Sequence, residues 1–163
     1  MKTLIVYYSL EGNTQYIAES VAEQLGAHLL RLVPKKAYAN KGLAKFFWGG
    51  RSALMAEMPE LESYDVNLVD YDQIIIGFPV WAGTITPPIR TFVSEHLVEL
   101  KEKKLACYAC QSGAGAEKAF GKLKDLIGVD DFSATAIFID PKAKPSDANT
   151  QKLEEFCKKL KEV

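Results

Sequence analysis

The stretch TLIVYYSLEGNT, residues 3–14, decides the fold. Thr3 to Tyr8 is a short, β-rich apolar run and Ser9 to Thr14 a polar break, after which Ile17, Val21 and Leu25 recur at the four-residue spacing of an amphipathic helix. Strand, polar turn and helix form the first unit of an alternation. His28 to Val33 reads as a second strand stopped by Pro34, and Gln73 to Phe78 (QIIIGF) is continuously apolar, as a strand buried on both faces should be. Pro87 and Pro88 open a helix with Ile89, Phe92, Val93 and Leu97 on one face, the prolines occupying a first turn where their missing N–H groups cost nothing. Lys104 to Cys110 reads as a strand, Ala116 to Ile127 as a helix and Ala134 to Ile139 as a further strand. A last helix carries Leu153, Phe156 and Leu160, with Ser146 or Asp147 as its N-cap.

Alternation of strands and helices through short connections predicts an α/β fold, a parallel sheet covered by helices on both faces. The long segment from Lys35 to Tyr71 interrupts it. With Phe46, Phe47, Trp48, the break Gly49-Gly50, and then Leu54, Met55 and Met58, that segment should hold the second crossover helix followed by an extended tail.

A chain of 163 residues fits one domain, residues 1–163, able to bury roughly 70% of its unfolded surface without staples. Its 48% hydrophobic fraction argues against disorder. Twenty Lys+Arg against 21 Asp+Glu, a net charge of −1, gives no electrostatic reason to expect a nucleic-acid partner. No apolar run approaches the roughly 18 residues a membrane span needs, and Met1-Lys2-Thr3 leads into a strand rather than a signal peptide. No membrane partner and a cytoplasmic location are therefore expected. Three cysteines without framework spacing suit a reducing compartment. Cys107 and Cys110 have C-x-x-C spacing, but an odd separation on a strand turns their thiols to opposite faces. With His28 and His96 isolated, no zinc set is expected.

In an open α/β sheet, ligands bind beyond the carboxyl ends of the strands, where the strand order reverses. Three loops should meet there. The first, Ser9, Leu10, Glu11, Gly12, Asn13 and Thr14, offers two hydroxyls, an amide and a flexible glycine before a helix, with no Lys or Arg. That composition suits a phosphate held by helix N-terminal amides and the helix dipole, and it equally fits a plain N-capping turn. The second, Pro79, Val80, Trp81, Ala82, Gly83 and Thr84, sets a large ring among small residues. Trp81 there either covers a planar heterocycle or packs on the neighbouring helix. The third, Gln111, Ser112, Gly113, Ala114 and Gly115, lets backbone approach a ligand and donate N–H groups, or is a simple connection rich in left-handed residues. A nucleoside triphosphatase or Rossmann dehydrogenase is disfavoured, since neither G-x-x-x-x-G-K-[ST] nor G-x-G-x-x-G occurs. A receiver domain needs acidic residues where this chain has Tyr7, Tyr8 and Ser9.

With these residues the chain resembles the flavodoxin family. YYSLEGNT (residues 7–14) is similar to that family's strand-to-phosphate-loop signature, and GFPVWAG (residues 77–83) to its first flavin-contacting loop. Small bacterial flavodoxin-like proteins with P-x-W after the third strand match the pattern best. The resemblance implies a three-layer, doubly wound sandwich with a five-stranded parallel sheet in the order 2-1-3-4-5, and noncovalent FMN. It places the FMN phosphate on the loop Ser9 to Thr14, with Glu11 acting through its backbone N–H. The isoalloxazine lies between the loop Pro79 to Thr84 and the loop Gln111, Ser112, Gly113 and Gly115. Apolar cover from Trp81 and scarce cations would disfavour the anionic, doubly reduced flavin and lower the second potential.

The chain also departs from that family. Its third loop lacks an aromatic, which leaves one flavin face open. Ala82 follows Trp81, where the family uses a glycine whose peptide turns toward flavin N5–H, and an alanine is strained at positive φ. Electron carriers of the family are usually strongly acidic, unlike this chain. The resemblance implies a carrier shuttling electrons between low-potential redox enzymes, with redox proteins as partners. The alternative is an FMN-dependent reductase whose open face admits NAD(P)H or a quinone. Lys35, Lys36, Arg51, Arg90 and the cluster Phe46 to Trp48 are candidates for a nucleotide site, or form a solvated face.

Overall fold

The apolar runs pair as β1 (Thr3–Tyr7), β2 (His28–Arg31), β3 (Gln73–Pro79), β4 (Lys104–Gln111) and β5 (Ala134–Ile139). In the computed structural model, which describes residues 1–38 and 48–162, all five lie parallel in the order β2-β1-β3-β4-β5. Leu4 sits beside Ile74 and Ile74 beside Leu105, so apolar side chains align row by row. Alternation sends Leu4, Val6, Ile74, Ile76, Leu105 and Cys107 into one core, and Ile5, Tyr7, Ile75, Ala106, Tyr108 and Cys110 into the other. The two thiols of the C-x-x-C run thus face opposite layers, as the odd spacing requires.

Helices cover both faces. On one lie α1 (Asn13–Leu25), which buries Ile17, Ala18 and Val21, and the C-terminal helix, which buries Phe156, Cys157 and Leu160. Leu25 packs at that layer's margin, and Gly26 at φ 63 ends α1 with its N–H on Ala22 O. In the segment after β2, the described residues hold a five-residue helix, α2 (Gly50–Leu54), an extended stretch and a 3-10 turn at Leu68–Asp70. Phe46 and Phe47 fall outside the described residues. The extended stretch is tied to the end of β2 by the Pro34–Leu61 bridge and the bonds Lys35 N to Glu60 O and Glu62 N to Val33 O.

The helix opened by the prolines, α3 (Pro87–Glu95), buries Ile89, Phe92 and Val93. It stops short of the expected Leu97: His96, at φ −120, breaks the turn, and Leu97 starts a separate helix, α4 (Leu97–Lys101). Next come α5 (Ala116–Ile127) and, after β5, α6 (Asp147–Glu162). Of the two candidates, Ser146 is the residue that caps α6, its Oγ accepting from Asn149 N at 3.2 Å. Strand β2 ends at Arg31, short of the expected Val33, because the chain changes partner there: Val33 O accepts from Glu62 N and Pro34 bridges Leu61. Among the described residues, no helix is long and apolar enough to cross a membrane and no group of side chains is set to hold a metal.

Candidate functional site

Strands β2 and β3 flank β1 on opposite sides, so the chain leaves β1 in one direction and β3 in the other. Their loops part at the carboxyl edge and enclose a cleft of about 470 Å³, within the range of roughly 300–1,000 Å³ of small-molecule sites. Ser9, Leu10, Glu11, Asn13 and Thr14 form its first wall. Gly12 stands at the N-cap of α1 with φ 95 and gives its N–H to Ser9 Oγ at 3.1 Å. Among the described residues no side chain caps the first turn of α1, and no acidic residue lies in it. The amides at its start are therefore open to an anion, with the helix dipole behind them.

The wall is anchored from beneath. Tyr108, fully buried on β4, donates its hydroxyl to the Thr14 carbonyl at 2.9 Å. Its ring has room only because residue 77 is glycine, since a Cβ there would lie 2.2 Å from Tyr108 Cζ. Thr14 is itself buried, and burial pushes the Cys110 thiol up to about 12 against the lowering influence of the Thr14 hydroxyl.

Pro79, Val80, Trp81 and Ala82 form the second wall. Trp81 and Thr84 exchange two backbone bonds, Thr84 N to Trp81 O at 3.0 Å and Trp81 N to Thr84 O at 3.3 Å. Ala82 and Gly83 between them have φ 50 and 67, the positive angles of a type I′ turn. The alanine expected to resist positive φ adopts it, because the paired ends of the turn impose it. Trp81 is half-buried, edge-on to Tyr8 at 5.6 Å and to Tyr38 at 5.1 Å. A Cβ on Gly49 would meet its six-membered ring at 3.2 Å. The indole is thus both packed on protein and part of the cleft.

Gln111, Ser112, Gly113 and Ala114 form the third wall. Gln111 Oε1 accepts from Ala116 N at 2.9 Å and so caps α5. Ser112 donates to Asp140 Oδ1 at 2.6 Å, and Lys144 Nζ lies 3.0 Å from Asp140 Oδ2. Gly115, at φ 112, brings the second and third loops together, since a Cβ there would lie 2.9 Å from Gly83 Cα.

Thirteen of the seventeen loop residues singled out in the sequence line the cleft; Gly12, Gly83, Thr84 and Gly115 instead frame its loops. Sequence reasoning missed Gly50, Cys110 and Asp140, which also line it. Asp140 directly follows β5, so counting every loop at the carboxyl edge would have found it. Scarcity of cations holds for the first loop's own sequence but not in space. Arg31 Nη2 donates to Ser9 O at 3.4 Å, and the Lys142 side chain lies over Gly12. Lys35, Lys36, Arg51 and Arg90 line no part of the cleft; Lys35 pairs with Glu60, and Arg51 lies 6.0 Å from the Trp48 ring.

The architecture is shared with solved structures. The chain matches a flavoprotein in complex with FMN from Lactobacillus acidophilus with a TM-score of 0.73 at 21% identity, covering 86% of this chain and 94% of that one. A candidate flavoprotein from Bacteroides eggerthii gives a TM-score of 0.73 at 22% identity over 95% and 97% of the two chains. Oxidised flavodoxin 2 from Bacillus cereus gives 0.58 at 18% identity, over 99% of each chain. At such identities the likeness speaks for the fold alone. The sequence pattern of the family described as flavodoxin extends over residues 2–143, so the chain belongs to the flavodoxin family.

Proposed function

We propose that this protein binds FMN noncovalently in the cleft and carries electrons between redox enzymes. The observation that carries the proposal is the uncapped first turn of α1 opening on a cleft of about 470 Å³ that Trp81 also lines. FMN joins a phosphate to a flat apolar head, and the two ends of the cleft offer those two chemistries. Ser9, Leu10, Glu11, Asn13 and Thr14 would hold the phosphate by main-chain amides and hydroxyls, with Gly12 supplying the turn. Trp81 and Ala82 would flank the head, with backbone of Gln111, Ser112 and Gly113 as polar partners. Bound FMN supplies redox chemistry that the side chains lack, while the protein orients it and shields it from water.

Two observations favour a carrier that meets protein partners. No basic side chain of the group Lys35, Lys36, Arg51 and Arg90 lines the cleft to receive a second nucleotide. The three cysteines are all buried and unpaired, which suits a reducing cytoplasm. One observation favours the second reading, a reductase using NAD(P)H or a quinone: Ser112, Gly113 and Ala114 are small and exposed, so that side of the cleft is uncovered.

Purified protein should be yellow and release FMN on denaturation. A colourless product that also refuses added FMN would contradict both readings. Anaerobic photoreduction separates them: a long-wavelength absorbance after one electron supports the carrier, and direct bleaching by NAD(P)H without it supports the reductase.

A further inference from the structure

We propose that Lys142, in the loop between β5 and α6, supplies the counter-charge for the FMN phosphate and sets the preference for FMN over uncharged riboflavin. The proposal rests on FMN occupying the cleft, and it adds a cation that the phosphate loop's own sequence lacks. Three observations carry it. First, the Lys142 stem lies across the N-cap of α1. A Cβ on Gly12 would sit 3.1 Å from Nζ, 3.4 Å from Cδ and 3.7 Å from Cε. The absence of a side chain at residue 12 is what lets the lysine lie there.

Second, this placement is held from both sides. Asn13 Oδ1 accepts from Lys142 N at 2.9 Å and from Ala143 N at 3.2 Å, stapling the loop to the first turn of α1. Asn13 thus spends its acceptor on the lysine's backbone and keeps its Nδ2 donors for the cleft, which it lines. Asp140, the nearest acid in that loop, is engaged by Ser112 and Lys144. Among the described residues Lys142 has no ion pair.

Third, an ammonium at the positive end of a helix dipole is a repulsive arrangement by itself. The other long helices have settled their first turns: α3 with prolines that lack the donor, α5 with Gln111 and α6 with Ser146. The first turn of α1 has no acidic residue and, among the described residues, no side-chain cap. A dianion there would answer the open amides and the lysine together, and a phosphate monoester is that group. A neutral ribityl alcohol would answer neither.

The test is a titration of deflavinated full-length protein, wild type and Lys142→Gln, with FMN and with riboflavin, read by flavin fluorescence at low and high salt. The expected result is about a tenfold loss of FMN affinity in Lys142→Gln, about 1.4 kcal/mol, with riboflavin affinity unchanged and a weaker salt dependence for FMN. Lys142→Arg should keep the preference. An unchanged FMN-to-riboflavin ratio in Lys142→Gln would overturn the proposal, as would equal loss of both ligands, which would mark a structural role. Wild-type protein that binds neither flavin would overturn the reading of the cleft itself.

Discussion

Asn13 shows how one side chain serves two loops. Its oxygen accepts from Lys142 N and Ala143 N, so Asn13→Asp keeps those bonds while setting a carboxylate beside the phosphate. We expect FMN affinity to fall about tenfold or more relative to riboflavin, by like-charge repulsion near the surface; equal losses in parallel titrations would misplace the phosphate. Ala82 offers a test of backbone strain. At φ 50 it sits where an L-residue is disfavoured by about 1–2 kcal/mol, offset in part by the roughly 0.5–1 kcal/mol of extra chain entropy that glycine loses on folding. Ala82→Gly should therefore stabilise the protein by up to about 1 kcal/mol, seen as a raised midpoint in urea. A lowered midpoint would show that the turn is not strained there.

Among the elements, the sheet and the loop Ser9 to Thr14 are joined through Tyr108. Removing its hydroxyl in Tyr108→Phe leaves the buried Thr14 carbonyl without that donor, at a cost of about 1–3 kcal/mol, and should loosen the first turn of α1. Faster amide exchange at Asn13 to Gln15, with β4 still protected, would agree; unchanged exchange would mean the bond does not hold the loop. This coupling was invisible in the sequence, because Gly77, Tyr108 and Thr14 meet only once β1, β3 and β4 are in register. What could be read from the chain was local. QIIIGF announces a central strand by continuous apolarity, and the Pro87-Pro88 pair announces a helix start. The turn around Ala82 could not be read, because its angles follow from the two bonds between Trp81 and Thr84. Lys142 escaped for a related reason: it approaches the first loop from the far end of the chain, 129 residues away in the Asn13–Lys142 bond. A helix followed by an extended tail was legible in the segment after β2, but the bounds of α2 were not, since Gly49-Gly50 and Met58-Pro59 set no clear period.

For the whole molecule, burial on both faces of the sheet has a consequence for its response to alkali. Burial pushes Cys110 up to about 12 from an ordinary 9.0, raises Cys157 to about 11, and lifts Cys107 and Tyr108 well above their ordinary values. A group whose pKa is raised in the folded state stabilises the fold below its unfolded pKa and loses that contribution as pH climbs toward the folded value. Stability should hold to about pH 8.5 and then fall, each such group contributing a slope near 1.4 kcal/mol per pH unit once ionised only in the unfolded chain. Urea midpoints measured from pH 7 to 11 check this, and a flat profile would mean the thiols and Tyr108 are not buried as described. The same packing supports the central claim, that a cleft at the carboxyl edge takes an FMN phosphate on the first turn of α1 and its flat head beside Trp81. The most direct measurement is an NMR titration of isotopically labelled protein with FMN and with riboflavin. The account predicts that FMN shifts the amides of Leu10 to Gln15 together with the Trp81 indole N–H, while riboflavin moves chiefly the indole. Shifts centred elsewhere, with both the Leu10 to Gln15 amides and the Trp81 indole unmoved by FMN, would contradict it.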